Sequence, residues 1–185
     1  MAMLCAMLPA GAWAELELHM TNREQENHTL TIFEAQEKAD ESAQKQDDKQ
    51  SAVSQAAETA NVQIETRFAQ KKAEQLLSRA GASVQQSGEL FTSGSLASMT
   101  LVWNGTQADG TNGSSTIGLV LDLTTGEAVE LARLFDDADA AFAAMENIIS
   151  DDVLSELSDY MEYGDLLPKP TDNYAIDEQG LTVFY

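Results

Sequence analysis

Residues Ile117 to Phe135 read IGLVLDLTTGEAVELARLF, and this stretch decides the fold. Ile117, Leu119, Leu121 and Leu123 alternate with Gly118, Val120, Asp122 and Thr124, the period of a strand with one buried face. Thr124, Thr125 and Gly126 punctuate the run, and Gly126 accepts positive φ at the least steric cost. Val129 and Leu131 resume the alternation, which predicts a hairpin. The spacing then changes to Leu131, Leu134 and Phe135, so the second strand is expected to run straight into a helical turn.

Downstream, Phe142, Met145, Ile149, Val153, Leu157 and Tyr160 form a helical stripe at intervals of three and four, ended by Gly164. Asp136, Asp137 and Asp139 stand at its start, where carboxylates cap free amides. A second capping signal at Ser150-Asp151 marks an expected bend. Pro168 and Pro170 bracket a linker, and strands are expected at Tyr174–Ile176 and Leu181–Tyr185 around a turn at Asp177 to Gly180.

Upstream, Val84–Phe91 and Leu96–Trp103 read as strands about Gly94, followed by a loop carrying Asn104-Gly105, Asp109-Gly110 and Asn112-Gly113. Between Val62 and Ala80, Ile64, Phe68, Ala69, Ala73, Leu76 and Leu77 predict an amphipathic helix capped by Gly81. It carries a basic cluster, Arg67, Lys71, Lys72 and Arg79, which is solvated or docks against the acidic C-terminal half. From Ala35 to Thr59 the only large apolar residue is Val53, which leaves a solvated helix and a disordered linker both open. Leu16, Leu18, Met20, Leu30, Ile32 and Phe33 predict an N-terminal hairpin.

Residues 1–14, MAMLCAMLPAGAWA, end in the small-x-small form of a signal-peptidase site, so cleavage is expected before Glu15 although a basic n-region is missing. Such a run is shorter than the ~20 residues that span a bilayer, and no later run reaches that length. Leu4 before Cys5 does not fit lipidation, so Cys5 is expected to leave with the leader, and the mature chain then offers no thiolate. The expected fold is α+β: small mixed or antiparallel sheets with two amphipathic helices in two small subdomains. The expected divisions are a leader at 1–14, a hairpin at 15–34, a polar segment at 35–59, a helix with strands at 60–113, and a C-terminal domain at 114–185.

The string Leu121-Asp122-Leu123-Thr124-Thr125-Gly126, with Val129-Glu130-Leu131 and Leu134-Phe135, resembles the "fDl.tGk...L.dLF" signature of a bacterial extracytoplasmic domain family of unknown function. The family includes the extracellular half of RsiV-type anti-sigma factors, which bind lysozyme, and a copy beside peptidoglycan deacetylases. Asn173-Tyr174-Ala175-Ile176 and Gly180-Leu181-Thr182-Val183-Phe184-Tyr185 resemble its "nFyl..dGlvfyF". Asn61 and Ile64, read as opening a helix, resemble the companion domain's "iN..I". The resemblance runs from residue 60 to 185 and marks Asp122, Gly126, Leu131, Leu134, Phe135 and Gly180 as its structural signature. It implies a binding or sensor domain in the bacterial envelope, with family members continuing past Tyr185, so the chain is expected to be truncated there. The alternative is an accessory module of a cell-wall enzyme, or such an enzyme itself.

The net charge is -21, and residues 108–185 hold 17 acidic side chains against Arg133 and Lys169, which leaves -15 in that half. Such a surface repels nucleic acid and anionic lipid and attracts cationic partners or divalent metal ions; that the cationic partner is a lysozyme-like protein is what the resemblance implies. Neither His19 nor His28 stands where a core would position it for a catalytic triad. The acids fit neither a calcium loop nor a selectable glycosidase pair, and phosphate loops and dinucleotide fingerprints are missing. No catalytic, cofactor-binding or metal residue is therefore expected.

Overall fold

The computed structural model describes residues 16–25, 28–38, 47–76, 83–106, 110–156 and 169–185. The leader 1–14, the caps at Gly81 and Gly164, and Leu77, Arg79, Asp109, Leu157, Tyr160 and Pro168 lie outside them. Alternation builds the first hairpin. β1 (Leu16–Gln25) pairs antiparallel with β2 (His28–Glu37) in one unbroken register, from Leu16 opposite Glu37 to Gln25 opposite His28. Leu16, Leu18, Phe33 and Ala35 are buried on one face.

α1 (Asp47–Phe68) crosses that face. Ala56, Ala60, Ile64 and Phe68 recur every four residues and are buried, with Val53 and Ala57 packed beside them. The segment before Thr59 therefore does join the core, contrary to the reading from its scarcity of large apolar residues. Alanines bury little area each, but they let the helix backbone approach its neighbours closely. Asn61 stands within α1 and does not open it. The helix expected over Val62–Ala80 is also divided: Ala69 takes φ 49°, and α2 (Gln70–Leu76) starts beyond it.

β3 (Ser83–Ser93) and β4 (Leu96–Thr106) form a hairpin turning at Gly94, φ 60°, and β5 (Asn112–Asp122) completes a five-stranded sheet ordered β1-β2-β3-β4-β5. Pairing is antiparallel except between β2 and β3, which run parallel and share only the pair Thr29 and Gln85. Strands run through Asn104-Gly105 and Asn112-Gly113, so the connecting loop is shorter than expected.

β5 is buried on both faces, not one. Leu119, Leu121 and Leu123 join the α1 core, while Val120 joins a second core with Leu131 and Tyr174. The expected second strand after Gly126 is reduced to a single bridge between Leu121 and Ala128, and Leu131–Leu134 forms a 3-10 helix. Pairing stops there because the next backbone groups are taken: Val129 O accepts from Tyr174 Oη, and Leu131 N donates to Asp172 Oδ1.

α3 (Ala138–Glu156) is capped by Asp137 Oδ1, which accepts from Ala140 N at 3.0 Å, and runs unbroken through Ser150-Asp151. β6 (Tyr174–Ile176) and β7 (Leu181–Val183) form a second, two-stranded sheet. It lies on the Val120 face with Leu134, Phe135, Phe142 and Met145. Leu123 and Leu131 thus occupy opposite sides of the main sheet, so the one core expected from the sequence for Leu123, Leu131, Phe135, Phe142 and Ile149 does not form. The architecture is α+β, a mixed sheet between helix α1 and a layer of β6, β7 and α3.

Candidate functional site

β5 is the last strand of its sheet, so its outer backbone groups need partners from elsewhere. Asn173 Oδ1 accepts from Gly118 N at 2.8 Å, and its Nδ2 donates to Thr116 O at 3.1 Å. Arg67 Nε donates to Gly118 O at 2.9 Å, and Arg67 Nη2 donates to the carbonyl of Asp172. Glu127 O accepts from Asp122 N at 2.9 Å, and Val120 O accepts from Val129 N at 2.8 Å. One asparagine, one arginine and a short stretch of main chain therefore close the edge, with Arg67 tying α1 on one face to the β6 layer on the other.

Gly118 permits this crossing. A Cβ there would lie 2.2 Å from Tyr174 O, so only glycine lets β6 pass over β5 at that point. Tyr174 is fully buried and donates from Oη to Val129 O at 2.7 Å. Burial first, and the Asp172 charge second, hold its phenol well above the usual value near 10, so it stays a neutral donor.

The two signature segments are one hydrogen-bonded unit, joined by Tyr174 to Val129 and by Leu131 N to Asp172 Oδ1 at 2.7 Å. Asp122 builds the turn: its Oδ1 accepts from Thr124 N at 2.8 Å and its carbonyl from Gly126 N at 2.7 Å. Gly126 has φ 74°. Leu131 is fully buried, with Leu134 and Phe135 packed around it. Gly180, φ 140°, closes the β6–β7 turn, where Asp177 Oδ1 accepts from its amide at 3.0 Å. Asp122 and Gly126 lie at the α1 side, Leu131, Leu134 and Phe135 in the second core, and Gly180 at an exposed turn; they do not converge on one pocket.

A second set of side-chain amides serves β2 where β3 diverges from it. Asn61 bonds both N and O of Ala35 at 2.9 Å, Gln70 bonds N and O of Phe33 at 2.6 and 3.1 Å, and Gln86 Oε1 accepts from Thr31 N at 3.1 Å. They stand in for the ladder that a paired strand would supply. Sequence reading overlooked Gln70, Gln86, Gly118 and Asp172. Only Gly118 carries a signal, a glycine within an apolar run, whereas Gln70, Gln86 and Asp172 lie in polar stretches where nothing sets them apart.

Beside Arg67 a cleft of about 190 Å³ is floored by Leu119, Val120, Ala128 and Val129, with the exposed carboxylates of Glu130 and Asp172 next to it. His19 is exposed on β1, and His28 Nδ1 accepts from Val84 N at 3.1 Å, so neither histidine reaches the cleft. Of the basic cluster, Arg67 docks as described, while Lys71 and Lys72 are exposed. Among the described residues no three His, Cys, Asp or Glu side chains gather as metal ligands, and no helix is long and apolar enough to cross a membrane. The arrangement offers carboxylates and an apolar floor to a ligand, together with one guanidinium already engaged by carbonyls.

No family model and no curated protein matches the sequence. Among solved structures, the chain is similar to a member of the DUF3298 family from Bacteroides fragilis, at 13% identity and a TM-score of 0.49, over 94% of this chain and 85% of that one.

Proposed function

We propose that this chain is an envelope-exposed or secreted binding domain that recognises a strongly cationic protein, of the lysozyme kind, through its acidic C-terminal half. The observation that carries the reading is the exposure of that charge. Glu127, Glu130, Asp136, Asp137, Asp139, Glu146, Asp151, Asp172, Asp177 and Glu178 are all exposed. The ion pair of Arg23 with Glu74 and the contact of His19 with Glu17 both lie outside this half, so the field of these ten carboxylates is left to act on a partner. The resemblance to the lysozyme-binding extracellular domains supports the same reading.

Electrostatic steering makes association fast and strongly salt-dependent, because the Debye length shrinks from about 10 Å at 0.1 M salt to about 3 Å at 1 M. Titration of a lysozyme and of an unrelated protein of equal positive charge at about 0.15 M salt tests the reading. Tighter binding of lysozyme than of the control is the expected result. Equal weak binding leaves only a solvated acidic surface, and no binding removes the proposal. Mass spectrometry of the envelope and secreted fractions tests location, with a mature terminus at Glu15 expected.

A further inference from the structure

The two ends of the main sheet are treated differently. The β5 edge is closed by Asn173, Arg67 and residues 127–129, whereas β1 ends the sheet on the other side. Among the described residues this edge is not blunted by proline, glycine, lysine or a bulge; the charges it carries, Glu17, Arg23 and Glu24, are of both signs and so limit which strand can be added to it.

The outward groups follow from parity. Phe33 and Ala35 of β2 turn their N–H and C=O away from β1, toward Gln70 and Asn61, so the even-numbered residues of β2 face β1. Their β1 partners are Glu17 opposite Gln36, His19 opposite Glu34, Thr21 opposite Ile32 and Arg23 opposite Leu30. Leu18, Met20 and Asn22 therefore present their N–H and C=O outward. Met20 is also 38% exposed, one of the few large apolar side chains at the surface.

We propose that the β1 edge pairs antiparallel with β1 of a second copy of this chain, on a two-fold axis at Met20, to give a continuous ten-stranded sheet. Symmetry and charge select both partner and register. An isologous contact must match inward and outward parity, which excludes any one-residue slip. An axis at Met20 places Met20 against Met20, Leu18 against Asn22 and, twice, Glu17 against Arg23. An axis at Thr21 overlaps as many residues, but it sets His19 against Arg23 and Leu18 against Glu24, which forfeits both ion pairs. Arg23 already donates from Nη1 to Glu74 at 3.0 Å, and its side chain remains 65% exposed. A backbone-led contact of one strand per copy belongs to the small, concentration-dependent class of interfaces. Because each copy carries -21, screening favours pairing, so the dimer strengthens with salt, opposite in sign to capture of a cationic partner.

Sedimentation velocity over about 1 to 500 µM, at low and at moderate salt, reads the association directly. The expected result is a monomer–dimer equilibrium that shifts toward dimer as salt rises, and that Met20→Lys and Glu17→Arg each weaken at least about tenfold with unchanged circular dichroism. Register is read by oxidation of single-cysteine chains in a Cys5→Ser background. Facing Cα atoms in a hydrogen-bonded pair lie about 5.5 Å apart, within disulfide reach, so Met20→Cys forms covalent dimer while Thr21→Cys forms far less. A chain monomeric throughout, a Met20→Lys chain that associates like the parent, or preferential crosslinking at position 21 would each overturn the proposal.

Discussion

Gly126 packs against the carbonyl of Ala56: a Cβ built on it would lie 1.9 Å from that oxygen and 2.8 Å from Ala60 N. The glycine therefore meets two demands, a φ of 74° and the close passage of α1 over the turn. Gly94 meets only the first, since its φ is 60° and nothing lies near its missing Cβ. Gly94→Ala is expected to cost about 1 kcal/mol and Gly126→Ala about 3 kcal/mol or more, the excess reporting the helix contact. Denaturant unfolding of the two variants side by side checks this, and equal losses would show that α1 yields.

Tyr174→Phe removes the donor to Val129 O and leaves that carbonyl unpaired beside a buried ring, at a cost of about 1 to 2 kcal/mol. The variant also has a pH signature. The folded phenol pKa is raised, so the unfolded chain ionises first, near 10. Stability from the neutral phenol is complete below that pH and is lost as pH climbs through the folded value. Unfolding midpoints followed from pH 8 to 11 should fall more steeply for the parent than for Tyr174→Phe.

Asn61→Ala strips both partners from the Ala35 backbone and is expected to cost about 2 to 3 kcal/mol. The loss should be local. Hydrogen exchange at the Ala35 and Phe33 amides rises first, while Leu101 and Leu119, in strands paired on both sides or capped, keep their protection. Uniform acceleration across the sheet would mean that the clamp holds the whole fold and not the β2 seam alone.

Arg67→Lys keeps the charge and loses the fork that reaches Gly118 O and Asp172 O together. A loss of about 1 to 2 kcal/mol is expected, against about 0.5 kcal/mol or less for Lys71→Arg on the exposed surface. Melting temperatures of both variants decide whether the guanidinium geometry or only the charge matters.

Much of the strand and helix order was legible because alternation and three-four spacing act locally. The β3–β4 hairpin, the β6–β7 turn at Gly180 and the stripe of Phe142 and Met145 read directly from such periods. What could not be read was decided by partners far along the chain. Val129 and Leu131 have the pattern of a strand, but Tyr174 and Asp172, more than forty residues on, claim their backbone groups first. Ala56 and Ala60 look too small to anchor a helix until Gly126 arrives beneath them. Polar residues such as Asn61 and Gln70 resemble solvated positions in a sequence and act as main-chain surrogates in the fold.

The dependence of the β5 edge on Asn173 has a consequence for the order of synthesis. Gly118 and Asn173 are 55 residues apart, so the strand is made well before the side chain that seals it. At about 5 to 20 residues per second, the edge stays open for roughly 3 to 10 seconds on a growing chain. Arg67 waits about twice as long for the carbonyl of Asp172, 105 residues on. A nascent chain halted before Asp172 would keep that strand available to its neighbours, which makes the arrival of Asp172 and Asn173 the step that ends the hazard.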